Sequence, residues 1–481
     1  MSLSNHYDVN EALDKALKDD FLRMATRRAT DRLRNGRINI TNELGNWEEW
    51  REAGEKIRNH VVENLDYYLN QLIENVEKNG GHVHLAKTPE DAVKITQEIF
   101  KKHGYKLVVK SKSMITEEIH LNPVLEEDGI EVVESDLAEY IIQIAKEPPS
   151  HIIVPAMHKN RDQIAELFEP IAGHPLESDT PTLTKFAREQ MREKFLSTKI
   201  GITGCNFAVA DTGTVTMVTN EGNGRMVSTL PDVQITMMGM ERIVPSFKEL
   251  SVMLNLLARS ATGQRLSVYT TMTTPPKRDG DIDGPKEWHL VILDHNRTEI
   301  LGDEDFRSSL RCIRCGACFN VCPVYRQVGG HAYGSVYSGP IGIVITPLLE
   351  QDYKRWGHLP YFSSLCASCS EACPVRIPLH DLIVKHRDRM VVKGYTSGLE
   401  KKIFKYYGHY FSNPKTLRSF IKLGSKFQFL LMKNGRITKG PAPLSNWTNS
   451  KTLPPIASPI FNDIWPNLQK ELQENKGGEK E

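Results

Sequence analysis

Arg311-Cys-Ile-Arg-Cys-Gly-Ala-Cys-Phe-Asn-Val-Cys-Pro323 is the stretch on which the reading of this chain turns. Cys312, Cys315, Cys318 and Cys322 are spaced C-x2-C-x2-C-x3-C and followed by Pro323, the arrangement that holds a cubane iron–sulfur cluster. Two-residue gaps let one tight loop aim three thiolates at three corners of a cube, while Gly316 and Ala317 keep bulk out of the way. In paired motifs of this kind the fourth cysteine, before the proline, ligates the other cluster.

The pairing rule demands a second motif, and Cys366-x2-Cys369-x3-Cys373-Pro374 supplies it. Crossing the ligands gives one cluster Cys312, Cys315, Cys318 and Cys373. The other receives Cys322, Cys366 and Cys369, and a complete motif would need a further cysteine where Ser363 stands. The second cluster is therefore a cubane with an open or non-cysteine fourth iron, or a three-iron species. Structural zinc is the rival reading, since C-x2-C pairs bind it well, but zinc wants four ligands per site and this is no zinc-ribbon spacing. Seven of the eight cysteines fall within 62 residues. No secretory signal is recognisable at the start of the sequence, so a disulfide framework is not expected.

At 481 residues the chain has room for two or three domains with real cores. It is 40% hydrophobic and 25% charged with a net charge of +1, so no global field points to nucleic acid or a membrane. No apolar run approaches the ~18 residues that span a bilayer. Thiolate ligands and the missing export signal both lead us to expect a reducing cytoplasm.

Outward from the cysteines, the periodicity sorts the rest of the chain. Residues 9 to about 78 read as helices, with Asn46 as a cap and Leu65, Tyr68, Leu69, Leu72 and Ile73 on one apolar face, a packing arm rather than a site. From Gly81 the rhythm becomes strand, helix, strand. His82–Ala86 is a strand, Thr88 with Pro89 opens a helix to His103, and strands follow at 105–110 and 131–134. Asp136 caps a helix stopped by Pro148-Pro149; His151–Pro155 is read as a strand and 160–168 as a helix. Such alternation predicts a mostly parallel sheet covered on both faces.

Gly201 to Ser246 carries two strands around Asp211-Thr212-Gly213-Thr214, then a Gly-rich turn, Leu230-Pro231-Asp232 and a strand from Val233. The Asp211–Thr214 turn could hold an anion on its hydroxyls and amides, or simply close a hairpin with Gly213 at positive φ. No dinucleotide or P-loop fingerprint occurs. Cys205 reads as a buried core thiol, and His82 and His84 share a strand face without carboxylate or cysteine partners. Trp288–Leu293 closes the α/β part. The 43 residues between the motifs, and the helical pattern over 379–392, predict cluster loops held between helices.

Residues 391–440 hold 11 Lys and Arg against one Glu, interleaved with Phe404, Tyr406, Tyr407, Tyr410, Phe411, Phe420, Phe427 and Phe429. Either this stretch docks on an acidic redox partner or a membrane surface, or it is a solvated helix pair. A Pro-rich segment follows, and 472–481 reads as disordered.

The order of helical arm, α/β part with Ala210-Asp-Thr-Gly-Thr and Leu230-Pro-Asp, seven-cysteine half and Pro443-Leu-Ser-Asn-Trp-Thr closely resembles the lactate utilization protein B family along essentially the whole chain. The resemblance implies a lactate-utilization domain of the sugar-phosphate isomerase and coenzyme A transferase-like fold, joined to an α-helical ferredoxin. It implies one four-iron cluster on Cys312, Cys315, Cys318 and Cys373, and a second on Cys322, Cys366 and Cys369. The family's second motif also has three cysteines, so Ser363 is no defect. It further implies electron transfer within L-lactate oxidation to pyruvate, alongside two companion proteins. The expected divisions are an arm at 1–78, the α/β domain at 79–300, the iron–sulfur domain at 301–392 and a basic C-terminal region at 393–481. A hydroxy-acid-oxidising α/β domain, with the second cluster's open iron as Lewis acid, is the alternative. An iron–sulfur sensor is a third, though no DNA-binding helix pair is recognisable and no nucleic-acid partner is expected.

Overall fold

The structure is a computed structural model that describes residues 7–440, 444–448 and 450–477. It divides into two compact units, Met1–Val392 and Lys393–Glu481.

In the first unit the strands run β1 (His82–Ala86), β2 (Leu107–Lys110), β3 (Glu131–Glu134), β4 (Ile200–Gly204), β5 (Phe207–Val209), β6 (Thr214–Thr219), β7 (Val233–Gly239), β8 (Ile243–Val244), β9 (Tyr269–Thr273) and β10 (Glu287–Leu293). Six form one parallel sheet in the order β1-β10-β7-β4-β2-β3. Its central strands are buried on both faces, as their unbroken apolar runs require. One face packs Ile200, Ile202, Ile235 and Val291 on Ala92, Ile99 and Phe100 of the helix Pro89–His103. The other packs Trp288, Leu290 and Ile292 on Val61, Leu65, Leu72 and Val76, so the N-terminal arm is the sheet's second covering layer. From β2 the chain moves outward to β3; from β4, beside β2, it moves the opposite way to β7. The carboxyl ends of β2 and β4 therefore diverge at a topological switch point, where open α/β sheets form their crevice. A smaller mixed sheet, β8-β5-β6-β9, lies alongside.

The cysteine half is helical: Ala317–Val321, Tyr325–Val328, Gly339–Leu349, Ser368–Ala372 and Leu379–Val392. Every residue of Gly339–Leu349 is buried. Its core, with Phe319, Tyr325, Tyr333 and Ile383, is continuous with Phe207, Val244, Leu250 and Leu256 of the α/β part.

Some sequence-based expectations are corrected. His151–Pro155 forms no strand, because the buried His151 ring uses the amides of Ile153 and Val154 as donors to its Nδ1 and bends the chain there. The Gly-rich turn after β6 is a helix, Asn223–Thr229, and the helix Thr180–Ser197 and strand β9 were not anticipated. The stretch expected to be disordered from 472 is helical as far as Gly477; the rest of it, and Pro441–Pro443, lie outside the described residues.

The second unit has helices Gly398–Ser412 and Pro414–Phe427, neither with a buried residue, and a short hairpin of β11 (Met432–Lys433) and β12 (Arg436–Ile437). Asn413 accepts from the amide of Lys415 at 2.9 Å and Pro414 takes the first helical position, which sets the break between the two helices. Tyr407 stacks on Phe411 at 4.0 Å, and most of the other aromatic rings stay exposed. Among the described residues no helix is long and apolar enough to cross a membrane.

Candidate iron–sulfur site and adjoining cavity

The two motifs fold alike, with every equivalent position shifted by 51 residues from Cys315/Cys366 to Pro323/Pro374. Arg314 and Gly316 flank Cys315 at φ +57° and +73°, and Leu365 and Ala367 flank Cys366 at +55° and +63°. These left-handed residues turn each loop so that successive thiols face inward, and a short helix follows each. Three of the four are not glycine, so the loops carry local strain.

All seven thiols receive a backbone N–H. Arg314 N donates to Cys312 Sγ at 3.4 Å and Ile377 N to Cys373 Sγ at 3.3 Å. The amides of Ala317, Ile341, Tyr325, Ser368 and Ser370 serve Cys315, Cys318, Cys322, Cys366 and Cys369. Donors in that number suit sulfur that carries charge. Burial, with Cys373 beside it, pushes the Cys315 thiol up to about 12; burial, with Cys322, does the same to Cys369. Such thiols hold their protons until a metal replaces them. At Cys366, which is exposed, the hydroxyls of Ser368 and Ser364 outweigh slight burial and hold the thiol below its ordinary value.

Electrostatic neighbourhood sorts the thiols. Cys373 acts on Cys315 and is acted on by Cys312, while Cys322, Cys366 and Cys369 act on one another. Cys318 feels Cys312 and Cys315 and also Cys369, so the two sets adjoin. Among the described residues no three His, Cys, Asp or Glu converge on a point that would hold one metal ion. Zinc needs all its sulfurs about 2.3 Å from one centre, whereas thiolates of a cluster bind separate irons; the donor set fits the cluster. Ser363 Oγ accepts from the amide of Leu365 at 3.1 Å, closing the turn where a fourth cysteine would stand.

The arm, read from sequence as packing, also clamps these loops. Arg51 donates to the carbonyls of Cys373 (3.0 Å) and Ser370 (3.3 Å). Arg58, fully buried, donates to the carbonyls of Leu310, Arg311, Glu241 and Ile243, tying arm, α/β part and first cysteine loop together. Burial, with Arg242 nearby, pulls its guanidinium down to about 10, still charged at neutral pH.

At the diverging ends of β2 and β4 lies a cavity of about 590 Å³ whose wall includes Lys112, Ser113, Asn206, Glu221, Arg242 and Arg314. Cys205 also lines it, with its thiol pushed up to about 12 by burial, which suits a core thiol and not a nucleophile. Behind the wall Glu118 accepts from Arg297 (2.9 Å) and Tyr337 (2.6 Å) and pairs with His295 (2.7 Å), while Arg297 also holds Glu241 at 2.7 Å. Arg314 stacks over Tyr337 at 4.7 Å. Sequence reasoning missed this cavity; the one local signal was an arginine placed between two cysteines of the first motif.

The remaining candidates lie elsewhere. Asp211–Thr214 closes the β5–β6 hairpin with Gly213 at φ +71°, held by Asn79 Nδ2 on the Thr212 carbonyl at 2.9 Å, and none of the four lines the large cavity. His84 hydrogen-bonds His289 at 2.9 Å, which in turn meets Glu287 at 2.8 Å, a strand-face network.

Comparison with known proteins agrees with this layout. The LUD domain family matches residues 69–293, and the 4Fe-4S dicluster domain family matches 308–377. Lactate utilization protein B of Bacillus licheniformis is 54% identical over 474 residues, 97% of this chain and 98% of that one. Its namesake in Bacillus subtilis is 54% identical over 94% of this chain and 95% of its own. Lactate utilization protein B 2 of Bacillus mycoides is 52% identical over 96% and 97%. A crystal structure of a DUF162 family protein from Deinococcus radiodurans aligns with 48% of this chain and 98% of its own at 14% identity and a TM-score of 0.28, too slight a likeness to bear on the fold. With both domain families matched in order and relatives this similar along nearly their whole length, the chain belongs to the lactate utilization protein B family.

Proposed function

We propose that this chain is the iron–sulfur electron-transfer component in the oxidation of L-lactate to pyruvate, working in the cytoplasm with companion lactate-utilization proteins. Cys312, Cys315, Cys318 and Cys373 would hold one four-iron cluster; Cys322, Cys366 and Cys369 would hold the second, of four or three irons. The observation that carries this reading is the adjacency of the two thiol sets through Cys318 and Cys369, on short helices that pack together. Clusters held there supply one-electron donor and acceptor states. The chain's own contribution is to aim amides at the sulfurs, to bury five of the seven thiols and half-bury Cys312, and to leave Cys366 exposed as the point nearest a partner. The names of the relatives supply the substrate.

Purified, iron-loaded protein given L-lactate and an artificial acceptor should be silent alone and active once companion proteins are added. Turnover by the chain alone would make it the catalytic subunit instead. A Lewis-acid role for the second cluster finds no support, because Cys322, Cys366 and Cys369 do not line the large cavity.

The exposed basic helices suit docking on an acidic redox partner. Reversing Lys401, Lys402 and Lys405 to glutamate should slow electron delivery roughly tenfold at low salt, through association rate. The wild-type rate should itself fall as screening shortens from ~10 Å at 0.1 M to ~3 Å at 1 M salt. Stopped-flow reduction across a salt series reads both; a rate indifferent to salt and to the triple reversal removes the docking role.

A further inference from the structure

The cavity at the β2/β4 switch point has a charge problem that an occupant would solve. Its lining includes three cations, Lys112, Arg242 and Arg314, against the carboxylates of Asp136 and Glu221. Arg242 spends a donor on the Cys312 carbonyl at 3.3 Å, and Lys112 has Glu139 at 3.9 Å. Arg314 is the exception. Its side chain is only 9% exposed, yet among the described residues its guanidinium makes no hydrogen bond; its nearest anion is Glu241, at 3.6 Å. Arg297 holds the other oxygen of Glu241, Oε2, at 2.7 Å, and Oε1, which faces Arg314, is beyond hydrogen-bond distance of it.

A guanidinium carries five N–H donors in a fixed plane, and burying it without acceptors is costly. Its Cζ sits 4.7 Å from the centre of the Tyr337 ring, a contact that spends none of its N–H groups on an acceptor, and a guanidinium with donors to spare can grip a carboxylate with two parallel bonds. A second donor is set on the same lining. Asn206 Oδ1 accepts from the amide of Val218 at 2.8 Å, which fixes which end of the side chain is oxygen and leaves Nδ2 to donate. The rest of the lining, with Ile153, Met217 and Leu257, is apolar and suits an organic body over a bare inorganic anion. The volume falls within the usual range for small-molecule sites.

We propose that this cavity binds a small organic monocarboxylate, a 2-hydroxy or 2-oxo acid, with its carboxylate on Arg314 and a further oxygen within reach of Asn206. The carboxylate follows from the cavity alone; the choice of 2-hydroxy and 2-oxo acids rests on the function proposed above. Arg314 lies between Cys312 and Cys315, so the same guanidinium faces both the ligand and the first thiol set. An anion bound there disfavours added negative charge on that set. By linkage, reduction must weaken the anion's affinity by the same factor.

Calorimetry on anaerobic, iron-loaded full-length protein, with no companion present, tests the site using L-lactate, pyruvate, neutral lactamide and inorganic phosphate as probes. Saturable binding of L-lactate or pyruvate is expected, with lactamide at least tenfold weaker and phosphate weaker still. Arg314→Gln should weaken the carboxylates by roughly 10- to 100-fold, the range for a charged hydrogen-bonding partner, and Asn206→Leu by several-fold. Saturating pyruvate should lower the midpoint potential of one cluster in a potentiometric titration of the wild type, and leave it unmoved in Arg314→Gln. Should Arg314→Gln lose iron, Asn206→Leu and the lactamide comparison still decide. Failure of both carboxylates to saturate, tighter phosphate than carboxylate, or wild-type binding in both variants overturns the site. Carboxylate binding without electron delivery to companions would sink the carrier reading alone; delivery without binding would sink this one alone.

Discussion

Cys373→Ser will abolish the same spectroscopic signal as Cys315→Ser, although the two residues belong to different motifs. Cys322→Ser will likewise copy Cys369→Ser. The wild type should carry about eight irons per chain, or about seven if the second cluster is a three-iron species, and each substitution should remove about half. The ground is the placement of the thiols: Cys373 neighbours Cys312 and Cys315, and Cys322 neighbours Cys366 and Cys369. Iron analysis with electron paramagnetic resonance reads the outcome. If instead Cys373→Ser matched Cys369→Ser, each motif would be serving its own cluster and the crossed assignment would fall.

The largest effect on stability is expected at Arg58, far from any ligand position in sequence. Arg58→Leu keeps volume but strands the carbonyls of Leu310, Arg311, Glu241 and Ile243, all deep in the interior. Losing one partner of a buried charged network costs about 3–5 kcal/mol, because the groups left behind stay desolvated. Arg58→Lys keeps the charge but cannot span four acceptors, and should fall between. Urea titration of the iron-loaded protein, followed by tryptophan fluorescence, provides the measurement. A loss below about 1 kcal/mol in Arg58→Leu would mean that the carbonyls find water, and that the tie is dispensable.

The 4Fe-4S domain was legible because spacing is itself chemistry: a cube dictates how far apart its thiolates sit along a loop. Most strands of the large sheet were legible from apolar runs such as Val233–Met238, and the helix at Pro89 from its Thr88/Asp91 capping box. Local composition misled where one side chain redirected the backbone. Ile152, Ile153 and Val154 look like strand residues, but His151 takes the amides a strand would need. The cavity was illegible for a different reason. Lys112, Asn206, Arg242 and Arg314 are scattered over some 200 residues and meet only because of strand order. No window of sequence contains that pattern, although Arg314 stood inside the most informative stretch of all.

The clamp made by the arm has a consequence for how the protein is born. Arg51 and its acceptor on Cys373 are 322 residues apart, so the first helices to leave the ribosome must wait for almost the last of the compact unit. At roughly 5–20 residues per second, that wait is on the order of tens of seconds. The cysteine loops are made late, when the arm that will hold them has long been waiting. A nascent chain missing its C-terminal third would still lay Val61, Leu65, Leu72 and Val76 on the sheet but leave Arg51 without the Cys373 carbonyl, a form that chaperones and proteases can tell from the finished protein.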